Sequence, residues 1–233
     1  TEAAPIISVN RRQSRQLDAV GLPMRGVEVQ IANDGEIIVR GELLMNGYWN
    51  NVAESKKTIV DGWLLTGDIG EFDALGRIKI TDRKKDIIVL SGGDNVSPAR
   101  VEGFLTLQPE IGQAMVIGDK RPHCAALVVP DAEWLTEFKK ETGKRGTLAD
   151  LADDPDLYKA VSAAIKRVNQ DLSNIEKVRK FAIATAEFTT DNAQLTPSMK
   201  VRRHVVRQDY GTVLDALYPT EQKKTALVEA SAE

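Results

Sequence analysis

Several short stretches of this sequence combine residue types that could do chemistry. Thr66-Gly67-Asp68 sets a carboxylate beside a glycine. A fixed carboxylate can accept two hydroxyl donors at once, and glycine lets backbone come close to a ligand. Ser91-Gly92-Gly93 is a loop whose glycines let the chain pass beside a bound molecule, and the same residues could simply turn a strand into a helix. Lys200-Val201-Arg202-Arg203-His204 is a basic run. A lysine there offers a compact, mobile ammonium suited to growing negative charge, although a lone basic run is ordinarily a solvated face. Two signals are refused. Thr142-Gly143-Lys144 lacks the upstream glycine of a phosphate loop and lies in a charged stretch. Two histidines, His123 and His204, cannot build a Cys/His metal cluster with the single Cys124.

The elements that must position these residues fall into two differently patterned halves. Residues 1–81 read as β-rich: runs 27–31 and 36–40 alternate around Asn33-Asp34-Gly35, a strong hairpin signal, and 77–80 alternates after another turn. Frequent glycines suggest short strands in a distorted barrel. After Thr81, residues 86–90 read as a buried strand, and Ser97-Pro98 opens a helix with serine as cap and proline at the first helical position. Two strands follow at 114–117 and 125–129. Asp154-Pro155 then starts a helix with Leu157, Val161, Ile165, Val168 and Leu172 on one face, and 180–185 reads as a last strand. Residues 139–156 and 220–233 read as polar loop and tail. The charged tetrapeptide Asp82-Arg83-Lys84-Lys85 lies where the pattern changes, the place for a solvated turn or a hinge.

Bulk properties narrow the function classes. With 233 residues, 42% hydrophobic and 28% charged, the chain can bury a core without disulfides or metal. A formal charge of −3 and 5% aromatic residues give no reason to expect nucleic acid as a partner. One cysteine excludes an internal disulfide framework and suits a reducing compartment, so a cytoplasmic location is expected. No apolar run has the length of a spanning helix. The start at Thr1-Glu2, without methionine, reads as a cut inside a longer protein.

Read in order, five segments resemble successive motifs of the adenylate-forming (AMP-binding) superfamily: TEAAP at 1–5, GEIIVRGELLMNGYW at 35–49, DGWLLTGDIG at 61–70, GRIKITDRKKDIIVLSGGDNVSPARVE at 76–102 and QLTPSMKVRR at 194–203. The continuation LDAVGLPMRGVEVQI at 17–31 is similar to the family's next strand pair. The wording IVLSGGDNVSP, and Met199 where many relatives have glycine, resemble the long-chain fatty-acyl-CoA synthetases.

That resemblance implies an α+β chain, with a β-rich end of a large adenylation domain at 1–81, a hinge at 82–85 and a mobile C-terminal domain at 86–233 with a short central sheet and flanking helices. It implies ATP-dependent formation of an acyl-AMP from a fatty acid and transfer of the acyl group to CoA, with Mg²⁺ as cofactor. By the same resemblance, Asp68 holds the ribose hydroxyls, Arg83 reaches ribose and phosphate, and Thr1 touches phosphate. Glu2 holds the metal, Lys85 is the hinge, Gly92 and Gly93 form the loop along which CoA's thiol enters, and Lys200 serves adenylation. Tyr48 and Trp49 are expected in the core. The missing N-terminal adenylation domain is the expected partner, the chain alone is expected to be inactive, and the reading leaves room for peripheral membrane association. An aryl- or medium-chain ligase and a non-enzymatic binding module are the alternatives.

Overall fold

The computed structural model describes residues 1–4, 6–12 and 16–218. The chain divides into two compact units, Thr1–Ile87 and Ile88 onward.

The first unit is built on antiparallel strands. β1 (Ser8–Val9) and β2 (Leu22–Pro23) form a short ladder. β3 (Glu28–Ile31) and β4 (Glu36–Arg40) form the hairpin expected at Asp34-Gly35, with Ile31 opposite Ile37. A helix, α1 (Val52–Thr58), follows, capped by Asn51, whose side chain accepts the Glu54 N–H. It buries no residue, so no apolar stripe marked it in the sequence. β5 (Ile59–Val60), the long β6 (Trp63–Phe72) and β7 (Ile78–Arg83) complete a sheet ordered β3-β4-β6-β5, with β7 also on β6. Its small core contains Ile37, Val39, Leu64, Ile78 and Ala3. The expectation that Tyr48 and Trp49 join it is wrong. Trp49 is 91% exposed and Tyr48 lies at the surface, because they occupy an irregular loop before α1 rather than a strand face.

A 3₁₀ turn, Lys84–Asp86, ends this unit. The second unit opens with a hairpin of β8 (Ile88–Val89) and β9 (Asn95–Val96). The buried strand expected at 86–90 is therefore shorter: the 3₁₀ turn takes its start, and Val89 faces solvent. α2 (Pro98–Thr106) begins as expected, with Ser97 Oγ accepting the Arg100 N–H and Val101 and Leu105 buried. β10 (Ile111–Ile117) and β11 (Cys124–Pro130) are antiparallel, and β12 (Val178–Ile183) is parallel to β11 on its other side. All seven residues of β11 are buried, as befits a central strand covered on both faces.

The parallel connection from β11 to β12 carries three helices, α3 (Ala132–Thr142), α4 (Leu148–Leu151) and α5 (Pro155–Asp171). The expected polar loop at 139–156 is thus partly helical. The sequence reads as polar because α3 buries only Leu135 and Phe138, and α4 is a single turn held by a Thr147–Asp150 capping box. Lys144 pairs with Asp154 and Asp156, at 2.5 and 2.8 Å. A last helix, α6 (Arg203–Ala216), buries Val206, Tyr210 and Leu214. Alternation along the sheet sends Ala126 and Val128 to a core shared with α2 and α5, and Leu127 and Val129 to one shared with α6. The tail at 220–233 lies outside the described residues.

Candidate functional site

The Thr66-Gly67-Asp68 motif is a bulge. β4 pairs Glu36 with Ile69 and Ile38 with Leu65, so Ile37 alone faces Thr66, Gly67 and Asp68 on β6. A bulge leaves backbone groups outside the ladder, and here side chains take them up. Thr66 Oγ1 donates to the Ile37 carbonyl at 2.6 Å and accepts the Asp68 N–H at 3.1 Å. Glu36 Oε1 accepts the Gly67 N–H at 2.7 Å. Gly67 takes φ +71°, a left-handed conformation that glycine adopts without penalty. Threonine and glycine thus shape the bulge, and the Asp68 side chain lines a cleft beside it.

That cleft, of about 540 Å³, is lined by Asp68, Arg83, Thr1 and Glu2, four residues singled out in the sequence from three separate motifs. Asp68 and Arg83 face each other across β6 and β7, with Arg83 Nε donating to Asp68 Oδ1 at 2.8 Å. Glu2 Oε1 accepts the Tyr48 hydroxyl at 3.1 Å. Its own backbone N–H and this hydroxyl hold the Glu2 carboxyl below the usual carboxylate range. Tyr48 does not pack into the core. What it does is orient Glu2, a contact between residues 46 positions apart that no local sequence pattern signals.

Among the described residues no group of three or more His, Cys, Asp or Glu side chains could hold a metal ion by itself. A Mg²⁺ carried by a nucleotide needs less, since phosphates and water fill most of its octahedron and one or two carboxylates complete it. A single oriented carboxylate at Glu2 in a polar cleft fits that requirement.

The remaining candidates belong to the second unit or its approach. Lys200 stands at the end of a tight turn, Leu195 to Val201, closed by Thr196 N–H to the Lys200 carbonyl at 2.8 Å and Lys200 N–H to Thr196 Oγ1 at 3.0 Å. Met199 occupies the left-handed position of that turn, at φ +61°. The basic run is not uniform. Arg202 donates to the Ala193 carbonyl and Arg203 pairs with Glu102 at 2.7 Å, whereas the Lys200 side chain is exposed. Gly92 and Gly93 form the tip of the β8–β9 hairpin, where Gly93 N–H donates to the Leu90 carbonyl at 2.9 Å. Gly93 needs its φ of +88° for the turn. Gly92 has no such need, and an added Cβ would meet only Asp94 Oδ2 at 3.4 Å. Lys85 is exposed within the 3₁₀ turn.

The family model for the AMP-binding enzyme C-terminal domain matches residues 85–222. The chain belongs to the adenylate-forming, AMP-binding superfamily and corresponds to its C-terminal part. Among curated proteins it is 40% identical over 223 residues to the long-chain-fatty-acid–CoA ligase FadD15 of Mycobacterium bovis, covering 95% of this chain and 37% of that protein. It is 35% identical over 191 residues to long-chain-fatty-acid–CoA ligase 1 of Cavia porcellus, covering 80% and 27%. The chain therefore spans well under half the length of these relatives. The AMP-bound O-succinylbenzoate coenzyme A synthetase of Bacillus subtilis aligns at a TM-score of 0.61 and 26% identity, over 88% of this chain and 38% of that one. The AMP-bound A-PCP didomain of a carboxylic acid reductase from Segniliparus rugosus aligns at 0.71 and 24% identity, over 89% and 29%, a likeness of fold.

Proposed function

We propose that this chain is the C-terminal portion of an ATP-dependent long-chain fatty acid–CoA ligase. In this reading a fatty-acid carboxylate attacks the α-phosphorus of ATP, pyrophosphate leaves, and the thiol sulfur of CoA then attacks the acyl carbon of the acyl-AMP and expels AMP. The observation that carries the reading is the cleft in which Asp68, Arg83, Thr1 and Glu2 converge from distant parts of the sequence. Asp68 accepts the two ribose hydroxyls, Arg83 reaches ribose and phosphate oxygens, and Thr1 donates to a phosphate. Bound Mg²⁺, with Glu2 among its ligands, would neutralise phosphate charge. Lys200 stabilises the negative charge that builds as the carboxylate meets the α-phosphate. Residues 82–85, with Lys85, are the hinge that alternately presents Lys200 and the Gly92-Gly93 hairpin, and residues 86–233 are the mobile domain. The names of the relatives support long-chain acids over aryl acids.

The substrates would be fatty acid, ATP and CoA, and the partner the N-terminal adenylation domain of the same protein. No helix among the described residues is long and apolar enough to cross a membrane. We place the enzyme in the cytoplasm, the reducing compartment that a single cysteine suits.

The test is fatty-acid-dependent exchange of radiolabelled pyrophosphate into ATP by the longer protein containing this sequence, followed by thioester formation on adding CoA. Exchange with palmitate and not with benzoate is expected. Exchange with benzoate alone would replace the long-chain reading by the aryl one, and no exchange with either acid would overturn it.

A further inference from the structure

Glu36 is one of few buried charged residues in the described chain, at 3% exposure, and the ligase chemistry above gives it no part. Its two carboxylate oxygens are divided between two neighbours. Oε1 accepts the Gly67 N–H of the bulge at 2.7 Å, and Oε2 accepts the Lys84 ammonium at 2.8 Å. Lys84 is shared with Asp34, whose Oδ2 lies 2.6 Å from Nζ, while Asp34 Oδ1 accepts the Glu36 N–H at 3.1 Å. One carboxylate thus bridges the middle of β6 and the residue that follows Arg83 at the end of β7. Those are the two places that carry Asp68 and Arg83 into the cleft.

A buried ionised carboxylate is costly unless it is paired and hydrogen-bonded. A backbone donor stranded in a bulge could have been satisfied by a serine or asparagine, at no such cost. The charged residue adds a second, distant attachment, and Lys84 supplies the counter-charge that keeps it oriented.

We propose that Glu36 is a positioning residue for nucleotide recognition: by holding the Gly67 amide and the Lys84 ammonium together, it fixes the bulge and the end of β7 as one frame and so sets the placement of Asp68 and Arg83. The proposal rests on the nucleotide reading of the cleft given above.

The test uses AMP as probe, by calorimetric titration of the longer ligase, together with amide hydrogen exchange at Gly67 in this chain. Removing the acceptor leaves one buried donor unpaired, so Glu36→Ala should weaken AMP binding about tenfold and expose the Gly67 amide to exchange. Glu36→Gln can still turn an oxygen to Gly67 but then faces its NH₂ toward the Lys84 ammonium, so it should keep the amide protected while weakening AMP binding severalfold, short of the loss in Glu36→Ala. Lys84→Met takes away the counter-charge of Glu36 together with the partner of Asp34, leaves the Gly67 bond in place, and should weaken AMP binding severalfold without touching the nucleotide. Unchanged AMP affinity in a folded Glu36→Ala protein would overturn the proposal. If Glu36→Ala does not fold, unchanged affinity in Lys84→Met does so. Wild-type ligase that fails to bind AMP would overturn the nucleotide reading instead, and Gly67 exchange in the three proteins would then still decide whether the frame exists. Equal protection in wild type and both Glu36 variants overturns it.

Discussion

Lys200 owes its exposure to a turn made by its neighbours, so the side chain can be removed without disturbing what presents it. Lys200→Ala should therefore leave the fold intact while slowing pyrophosphate exchange by about 10²–10³, the usual loss for one preorganised charge-stabilising donor. Acyl transfer from supplied acyl-AMP to CoA should survive. A mutant with normal exchange would leave Lys200 as part of a basic surface. Asp68→Ala should behave differently, because the proposed function has ribose held in both half-reactions. A lost charge-assisted bond costs about 1.5–3 kcal/mol, and the change also frees Arg83. Weaker binding of both ATP and acyl-AMP is the expected outcome, and unchanged affinities would contradict the assignment. The two glycines of the β8–β9 hairpin should separate in the same way. Gly93→Ala must place a side chain at φ +88° and should lower the melting temperature, whereas Gly92→Ala has room and should chiefly slow thioester formation. Equal thermal stability of the two variants would remove that distinction.

The 3₁₀ turn Lys84–Asp86 is the element on which the proposed domain motion depends. Proline at Lys85 fixes φ and should hinder a change of backbone dihedrals there. Lys85→Pro is expected to keep most adenylation and lose most thioester formation. Equal losses of both would mark Lys85 as an ordinary loop residue. Elements also show what the sequence made legible. The hairpin at Asp34-Gly35, the helix after Ser97-Pro98 and the helix after Asp154-Pro155 were readable because turn and cap residues stand beside regular apolar spacing. α1 was not readable, because it buries nothing, and α6 was hidden behind the basic run that precedes Val206. The cleft was legible in part, because family wording singles out Asp68 and Arg83, which the structure brings together there. It was not legible at Glu36 and Tyr48, whose roles arise from contacts 31 and 46 residues away in sequence. Local wording carries no trace of such distant pairings.

At the scale of the whole molecule, the 233 residues contain no Ser/Thr/Gly-rich segment resembling the family's phosphate loop. The chain by itself is therefore expected to fold and to show no fatty-acid-dependent pyrophosphate exchange. Robust exchange by this chain alone would refute its reading as a portion of a larger ligase. Its two compact units have different cores, so heat or denaturant need not unfold them in one step, and a single midpoint should not be assumed.

Cys124 opens β11, in the middle of the second unit's sheet, and is fully buried. Burial, with a smaller contribution from the Glu176 charge, pushes its thiol up to about 11, so at neutral pH the folded protein holds almost no reactive thiolate. As the sole cysteine, it makes the protein its own stopwatch. A thiol reagent can act only on molecules whose central strand has come away from its neighbours, and each such opening leaves a covalent record. Labelling in native buffer should be slow, should accelerate with denaturant as the sheet opens, and should give the frequency of that event without any engineered probe. Labelling as fast as that of a free cysteine would mean that β11 is far less securely held than its burial implies.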